Sequence, residues 1–424
     1  MNLLKAIAQK ELFKVASLNS VSVMVKIAIG FVTSKIIAVF VGPNGMALIG
    51  NLRNFLTSVE GVATLGFQNG IVKYVAEKEN DEKELHHFLS SVLFCLLPVT
   101  ILLSIFIYYG SGFLNVEIFG VKNHYQSVFR AFGIGLPWYI ASLFLMSVLN
   151  GLGKFKKVIY INILGNVAGF LASAILIYYL RTYGALLAVV LSPSLLFLVT
   201  VFFVGRQINF SLLSLNFFRF SNLKPLSEYS LMALVSLVIG PLVFLAIRKN
   251  VIVQLGLDQA GFWEAMNRIS SYYLLFLTSV ITVYFFPKLS KAANKTETRK
   301  IFHNYYKWIV PVFLLALIVL YFLRDFVIHI LFTKAFLPVS GLFFWQLLGD
   351  FFKACSLILG YQFFAKKLTA AFIITELFSL SVMWISSKCL VPIFNIEGIV
   401  MAHALTYFVY LIVLCVYFRK SIWE

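Results

Sequence analysis

One pattern runs through the chain from end to end. Stretches of about 20 mostly apolar residues alternate with short polar connections, and a helix needs that length to cross the hydrocarbon core of a bilayer. Twelve such segments can be placed, over 16–40, 46–73, 88–109, 126–150, 158–180, 185–205, 226–248, 259–286, 304–323, 339–365, 369–388 and 398–418. Within lipid each backbone N–H and C=O needs an internal partner, so helices are the expected form. The expected fold class is an all-α integral membrane protein of about twelve transmembrane helices. Of the 424 residues, 61% are apolar and only 12% are charged. A soluble domain lies nearer half and a quarter. An ordinary soluble enzyme, a disordered chain and a nucleic-acid-binding module are thereby excluded.

The net charge of +18, from 35 basic and 17 acidic residues, then needs a location. With both termini on the cytoplasmic side, 22 of the basic residues fall on cytoplasmic segments and eight on outer helix ends, the latter including Arg248. The remaining five, Lys26, Lys35, Arg53, Arg268 and Lys353, lie inside spans. The excess of cations on one side sets the orientation, with both ends cytoplasmic. The same basic face attracts anionic lipids, and no nucleic-acid partner is implied. The longest connection, near 206–225, carries Phe210, Leu212, Leu213, Phe217 and Phe218, and reads as an interfacial segment joining two halves.

The two halves repeat. Arg53 recurs as Arg268, Lys73 as Lys288 and Glu82 as Glu297, all at one constant offset of about half the chain. Six spans per half is an even number, so both halves enter from the same side as parallel repeats. The expected organisation is an N-terminal six-helix lobe over 1–206, a cytoplasmic linker over 207–225 and a C-terminal six-helix lobe over 226–424. Such architecture belongs to alternating-access carriers, with the substrate site between lobes.

An ionisable group at mid-bilayer costs about 3 kcal/mol or more, so it faces a partner or a cavity. Glu264 and Arg268, spaced i,i+4, and Asp350 and Lys353, spaced i,i+3, can pair along one helix. Lys26, Lys35, Arg53 and Glu376 have no opposite charge within one turn of the sequence, and Glu60 lies two turns from Arg53. Inward-pointing cations would form a positive cavity suited to an anionic substrate such as a pyrophosphate head group, which Arg grips bidentately. Arg53, Arg268, Lys26, Lys35 and Lys353 are the cationic candidates, with Asn51 and Gln346 as amides for sugar hydroxyls. Snorkelling to an interface is the competing reading for Lys35. Glu60, Asp350, Glu376 and Glu264 are candidates for coupling to an H⁺ or Na⁺ gradient.

No cofactor, metal or catalytic activity is expected. The chain has no GxxxxGK[ST] loop and no HExxH or CxxC spacing, and its four cysteines lie in or beside apolar stretches. His86-His87 reads as a solvated loop pair. A multidrug or organic-cation antiporter, whose cavity would be rich in carboxylates, and a membrane glycan polymerase remain as alternatives.

The chain resembles bacterial lipid-linked oligosaccharide flippases of the Wzx type, which serve O-antigen, enterobacterial common antigen and other polysaccharide pathways. They belong to the multidrug/oligosaccharidyl-lipid/polysaccharide exporter superfamily. The resemblance is carried by Gly42-Pro43 with Asn51-x-Arg53, by Asn69-Gly70-x-x-Lys73-Tyr74-Val75-Ala76, by Leu323-Arg324-Asp325-Phe326, and by Trp345-Gln346-Leu347-x-Gly349-Asp350-x-x-Lys353 with Gly360-Tyr361. It implies two lobes that open alternately in the inner membrane. It also implies a substrate, an oligosaccharide on undecaprenyl pyrophosphate moved from the cytoplasmic to the periplasmic leaflet. A monomer is implied, with polymerase and chain-length proteins as pathway partners. The related lipid II flippases carry an Arg-Asp pair after a Gly-Phe in the first helix. Here Gly30-Phe31 is followed by Val32, Thr33, Ser34 and Lys35, so that pair has no counterpart. Their eighth-helix Arg stands nineteen residues before Pro-x-Leu-Ser-Lys, as Arg268 stands nineteen before Pro287. The resemblance therefore implies a head-group contact at Arg268.

Overall fold

The computed structural model describes residues 2–204 and 214–422, with the side chains of 2–17, 215, 228 and 229 outside that description. Lys5, Lys10, Lys14 and Arg206 of the charge bias, and Phe210, Leu212 and Leu213 of the interfacial segment, therefore lie outside the described side chains. Among the described residues the regular structure is entirely helical. The helices are α1 (Asn2–Phe40), α2 (Gly42–Ala63), α3 (Gln68–Lys78), α4 (Glu82–Tyr109), α5 (Ser111–Phe119), α6 (Gln126–Gly151) and α7 (Phe155–Val204). They continue as α8 (Ser227–Leu234), α9 (Gly240–Leu255), α10 (Leu257–Val280), α11 (Phe286–Lys291), α12 (Lys295–Asn304), α13 (Val310–Phe322) and α14 (Arg324–Leu331). The last four are α15 (Phe343–Ala365), α16 (Thr369–Phe394), α17 (Glu397–Tyr417) and α18 (Arg419–Ile422).

Ten helical stretches among the described residues are long and apolar enough to cross a membrane. One of them, α7, contains a non-helical residue, Arg181 at φ 52 and ψ −127, so it is two helices meeting at a kink. The second expected segment is α2, which at 22 residues is about 33 Å long. It is long enough to span, but Asn51, Arg53, Asn54 and Glu60 make it too polar to count by hydropathy. With these two adjustments each of the twelve expected segments has a helical counterpart among the described residues, the second of them broken after Ala63.

The chain divides into two compact units, Met1–Thr33 with Asn51–Pro241, and Ser34–Gly50 with Leu242–Glu424. In the first, Phe67 at the start of α3, and Ile71 and Val75 within it, pack with Phe88, Leu89, Val92 and Leu96 of α4 and with Phe144, Leu145, Val148 and Leu149 of α6. The described part of the linker is fastened to α4. Phe217 O meets His87 Nδ1 at 2.8 Å, the Phe217 ring lies edge-on to the His87 ring, and Arg219 forms an ion pair with Glu84 at 3.2 Å. His86-His87 is accordingly not a loop pair but part of helix α4, and His87 is held by the linker.

Similar caps open α4 and α12, but at an offset of 213 rather than 215, so by cap position Glu84 and not Glu82 is the counterpart of Glu297. Asp81 caps α4 by accepting Glu84 N–H, and Asn294 caps α12 by accepting Glu297 N–H, while the Glu297 carboxylate reaches back to Ala293 N–H. The segment expected to run unbroken over 46–73 is interrupted between α2 and α3, where Leu65 and Gly66 take positive φ. The offset that relates Arg53 to Arg268 also relates Gly66 to Ile281, and Ile281 opens a π-turn over Ile281–Phe285. The same position thus breaks the helix in one half and widens it in the other. A glycine permits the break, whereas Ile281 at the matching site keeps the helix with an irregular turn.

Candidate functional site

The residues singled out in the sequence fall into three settings. In the first unit, α2 carries Asn51, Arg53 and Glu60. Arg53 is exposed, and so is Lys26 on α1. Glu60 is held by neutral donors from two other helices, Tyr139 OH of α6 at 2.6 Å and Gln68 Nε2 of α3 at 3.2 Å. Asn51 is buried and donates to Ile118 O at the end of α5 at 2.9 Å. Its Oδ1 is buried without a hydrogen-bond partner among the described residues. Asn51 thus ties α2 to α5 through its amide nitrogen, while the oxygen remains an unused acceptor.

The second setting is a charge cluster at the hairpin of α9 and α10. Gly256, at φ +93, makes the one-residue turn between these helices. Arg248 and Glu264 each lie eight residues from it, on opposite arms. Glu264 Oε2 accepts from Arg248 Nη2 at 2.7 Å, and Glu264 Oε1 lies 3.5 Å from Arg268 Nε. Arg248, Glu264 and Arg268 are 2%, 6% and 4% exposed. Two guanidinium groups therefore share one carboxylate, and the cluster keeps a surplus positive charge. Arg248 Nε and Nη1 and Arg268 Nε and Nη2 are buried with no hydrogen-bond acceptor among the described residues. The Arg268 Nε contact to Glu264 is an ion pair too long and poorly aimed to be a hydrogen bond. Such unsatisfied charged donors cost more than the roughly 1–3 kcal/mol typical of a neutral one. The Arg248 guanidinium also lies over the Trp263 ring at 4.9 Å. Gly50 of α2 closes one side: a Cβ there would sit 2.5 Å from Glu264 Oε2 and 2.6 Å from Arg248 Nη1.

The charge pattern of the sequence assigns Arg248 to an outer helix end, as part of the topology signal. The structure buries it instead, so it joins the cations inside the protein. Its signal in the sequence is the equal spacing of Arg248 and Glu264 about Gly256, since a tight helical hairpin brings such residues side by side.

The third setting is a polar network in the second unit. Asp350 of α15 is fully buried. Its Oδ2 accepts from Ser270 Oγ and Tyr273 OH of α10, and from Gln346 Nε2 at 3.3 Å. Its Oδ1 lies 3.0 Å from His403 Nε2 of α17. The expected partner Lys353 instead places its ammonium 5.0 Å from the centre of the Tyr407 ring, and interacts with Asp350 and with half-buried Glu376 of α16 only through space. The i,i+3 spacing therefore does not decide the partner of Asp350. A histidine on another helix does, with no local pattern to announce it. Gln346 is absorbed into this network, although its Oε1 remains without a partner among the described residues. Lys35, near the C-terminal end of α1, donates to His329 O at 2.8 Å and to Phe332 O, the carbonyl end of α14. A cation there satisfies helix-terminal carbonyls and their dipole.

A cavity in the first unit is lined by none of these groups. It is a lateral groove of about 760 Å³ between α6 and the two halves of α7, lined by Ile134, Trp138, Ile175 and Leu198 among others. Its Ser194 and Ser192 hydroxyls bond to Gly135 O and Gly169 O, so the lining is hydrocarbon-like and offers nothing to a charged head group. Among the described residues no group of three or more His, Cys, Asp or Glu is placed to hold a metal ion.

Residues 12–293 match the family model described as polysaccharide biosynthesis protein. The chain belongs to that family. This family member is 28% identical over 418 residues to the Lipid III flippase of Escherichia coli (strain K12), covering 95% of this chain and 97% of that one. Its fold is that of two solved structures. One is the inward-facing conformation of a multidrug resistance MATE family transporter of the MOP superfamily, at 13% identity and a TM-score of 0.74 over 94% of this chain and 97% of that one. The other is the outward-facing conformation of a MATE family transporter of the same superfamily, at 14% identity and a TM-score of 0.68 over 96% and 95%. The family resemblance read from the Asn51-x-Arg53 and Trp345-to-Lys353 motifs agrees with these matches.

Proposed function

We propose that this polysaccharide biosynthesis family member is a flippase. It moves an undecaprenyl-pyrophosphate-linked oligosaccharide from the cytoplasmic to the periplasmic leaflet of the bacterial inner membrane by alternating access, with both termini cytoplasmic. The observation that carries this reading is the match to a Lipid III flippase over nearly the full length of both chains. The chemistry supports it. The costliest part of such a substrate to take through lipid is the charged pyrophosphate, and Arg53 on α2 offers it an exposed cation within a membrane helix. Lys26 adds a second exposed cation on α1. The sugars need amides and aromatic faces, and the polyprenyl tail stays in lipid.

Transport would draw on an ion gradient, H⁺ or Na⁺, through the carboxylates Glu60, Asp350, Glu376 and Glu264. The cytoplasmic cations would hold anionic lipid, and the carrier would work as a monomer beside the polymerase and chain-length proteins of its pathway. A chromosomal deletion complemented by the wild-type chain restores surface glycan. The Arg53→Ala variant inserts normally and leaves the surface bare. Full surface glycan in Arg53→Ala at equal protein level overturns the cationic head-group reading. In reconstituted vesicles, collapsing the proton and sodium gradients slows flipping; an unchanged rate rules out ion coupling.

A further inference from the structure

The flippase reading, with the head-group contact that the family resemblance implies at Arg268, gives no role to Arg248, which is buried in one cluster with Glu264 and Arg268. Two guanidinium groups on adjacent helices share one carboxylate, and four of their nitrogen atoms make no hydrogen bond among the described residues. Structure alone would be served better by a second carboxylate, or by a single arginine. A surplus buried cation that persists in a fold is compensated by an anion in some state of the protein.

We infer that this cluster is a phosphoryl-oxyanion site, in which Arg248 is the second guanidinium beside Arg268 and Glu264 is an internal stand-in for the ligand. The inference rests on the flippase reading and deepens it. Donor geometry supports it. Each guanidinium presents a planar fork of N–H groups that matches two oxygens of a phosphate. Glu264 uses one edge of Arg248, at Nη2, and makes an ion pair at 3.5 Å with Nε of Arg268. The donors at Nε and Nη1 of Arg248 and at Nη2 of Arg268 are left for further oxygens, and Nε of Arg268 is held only by the long ion pair. Trp263 covers the face of Arg248, so the ligand must meet the guanidinium at its edge. Gly50, which lacks the Cβ that would collide with both Glu264 and Arg248, leaves the cluster its space.

Glu264 then has a role in turnover. When the anion leaves, the carboxylate takes back both arginines, and the empty carrier does not have to reorient with two bare cations in a low-dielectric interior. Because all three side chains are buried here, the anion enters in another conformation of the carrier. Binding therefore shifts the conformational equilibrium as well as filling a site. A lipid pyrophosphate head group and free pyrophosphate share the recognised chemistry.

The test uses the purified full chain in detergent micelles and reads its thermal unfolding midpoint against inorganic pyrophosphate, farnesyl pyrophosphate and farnesol. Sodium chloride is matched throughout for ionic strength. In the wild type both pyrophosphate compounds raise the midpoint saturably and farnesol does not. A stronger response to farnesyl pyrophosphate assigns the site to a lipid head group, and an equal response assigns it to the free anion. In Arg248→Gln the half-saturating concentration rises at least about tenfold, and in Glu264→Gln it falls about tenfold, each a change of about 1.4 kcal/mol. Opposite signs in the two variants are what a merely structural cluster does not produce. If Arg248→Gln does not fold, Glu264→Gln decides alone. The proposal is overturned by a wild type that responds no more than to salt, by an unchanged half-saturation in Arg248→Gln, or by no tightening in Glu264→Gln. Transport of lipid-linked oligosaccharide without any anion response sinks this site and leaves the flippase reading standing. An anion response in a chain that moves no such lipid sinks the flippase reading instead.

Discussion

The helices α2 and α10 hold matching positions in the two halves, with Arg53 and Arg268 related by the repeat offset. Their surroundings differ. On α2 the arginine is exposed, and the nearby carboxylate of Glu60 is held by the neutral donors Tyr139 and Gln68. On α10 the arginine is 4% exposed, and the carboxylate Glu264 is shared between it and Arg248. The repeat therefore preserves a cation's place on the helix without preserving its state. One half holds its arginine exposed, and the other buries it beside a carboxylate. On α10 the carboxylate stands four residues before the arginine and touches it, whereas on α2 it stands seven after, and i,i+7 neighbours do not touch.

Substitutions on the two helices show how deep this contrast goes. The largest effect is expected from Glu264→Ala, which strands two buried guanidinium groups and should cost roughly 3–5 kcal/mol. Glu60→Ala removes only an acceptor for neutral donors, at about 1–3 kcal/mol. Thermal unfolding in detergent compares the two, and equal losses would erase the distinction between the halves. Arg53→Ala and Arg268→Ala come next. The first should change stability by about 1 kcal/mol or less, as for an exposed site, while surface glycan is lost. The second should also remove surface glycan at little cost in stability, because Glu264 keeps Arg248 and the buried surplus cation is gone. Loss of folding in Arg53→Ala would show that its role is structural. Asn51→Ala gives up the bond to Ile118 O and should cost about 1 kcal/mol, with a loosened α5 visible as faster amide exchange at residues 111–119. Unchanged exchange there would mean that α5 is held by packing alone. The smallest effect is expected at exposed Lys26, where Lys26→Gln should shift stability by less than about 0.5 kcal/mol and reduce flipping in vesicles only modestly. A complete loss of flipping would move Lys26 from the margin of the cationic surface to its centre.

The membrane helices are legible in the sequence because their cause is local. Lipid demands about 20 apolar residues and a self-satisfied backbone, and each segment meets that demand on its own. Even the exceptions have local marks: Gly66 at the α2–α3 break and the polar residues of α2 can be read where they stand. The i,i+4 pair of Glu264 and Arg268 is legible for the same reason. Pairings across helices are not. Asp350 takes His403 and the α10 hydroxyls in place of Lys353, and Glu60 takes Tyr139. No spacing along one helix encodes a neighbour on another. Arg248 is the middle case. In the sequence it is one of many charges at a helix end, and only its symmetry with Glu264 about Gly256 hints at a partner.

Composition and periodicity alone place the chain in a membrane as about twelve helices, reveal that its halves repeat, and mark a few cations inside the spans as important. Those properties act within a single helix, which is why a linear reading reaches them. Helix packing settled which of those cations stay exposed and which are drawn into clusters. That choice depends on which helices meet and on what counter-charge each burial brings within reach. Desolvation makes an isolated buried charge prohibitive. The packing partner rather than the residue type therefore sets whether an arginine stays exposed, as at Arg53, or is held by the fold, as at Arg248.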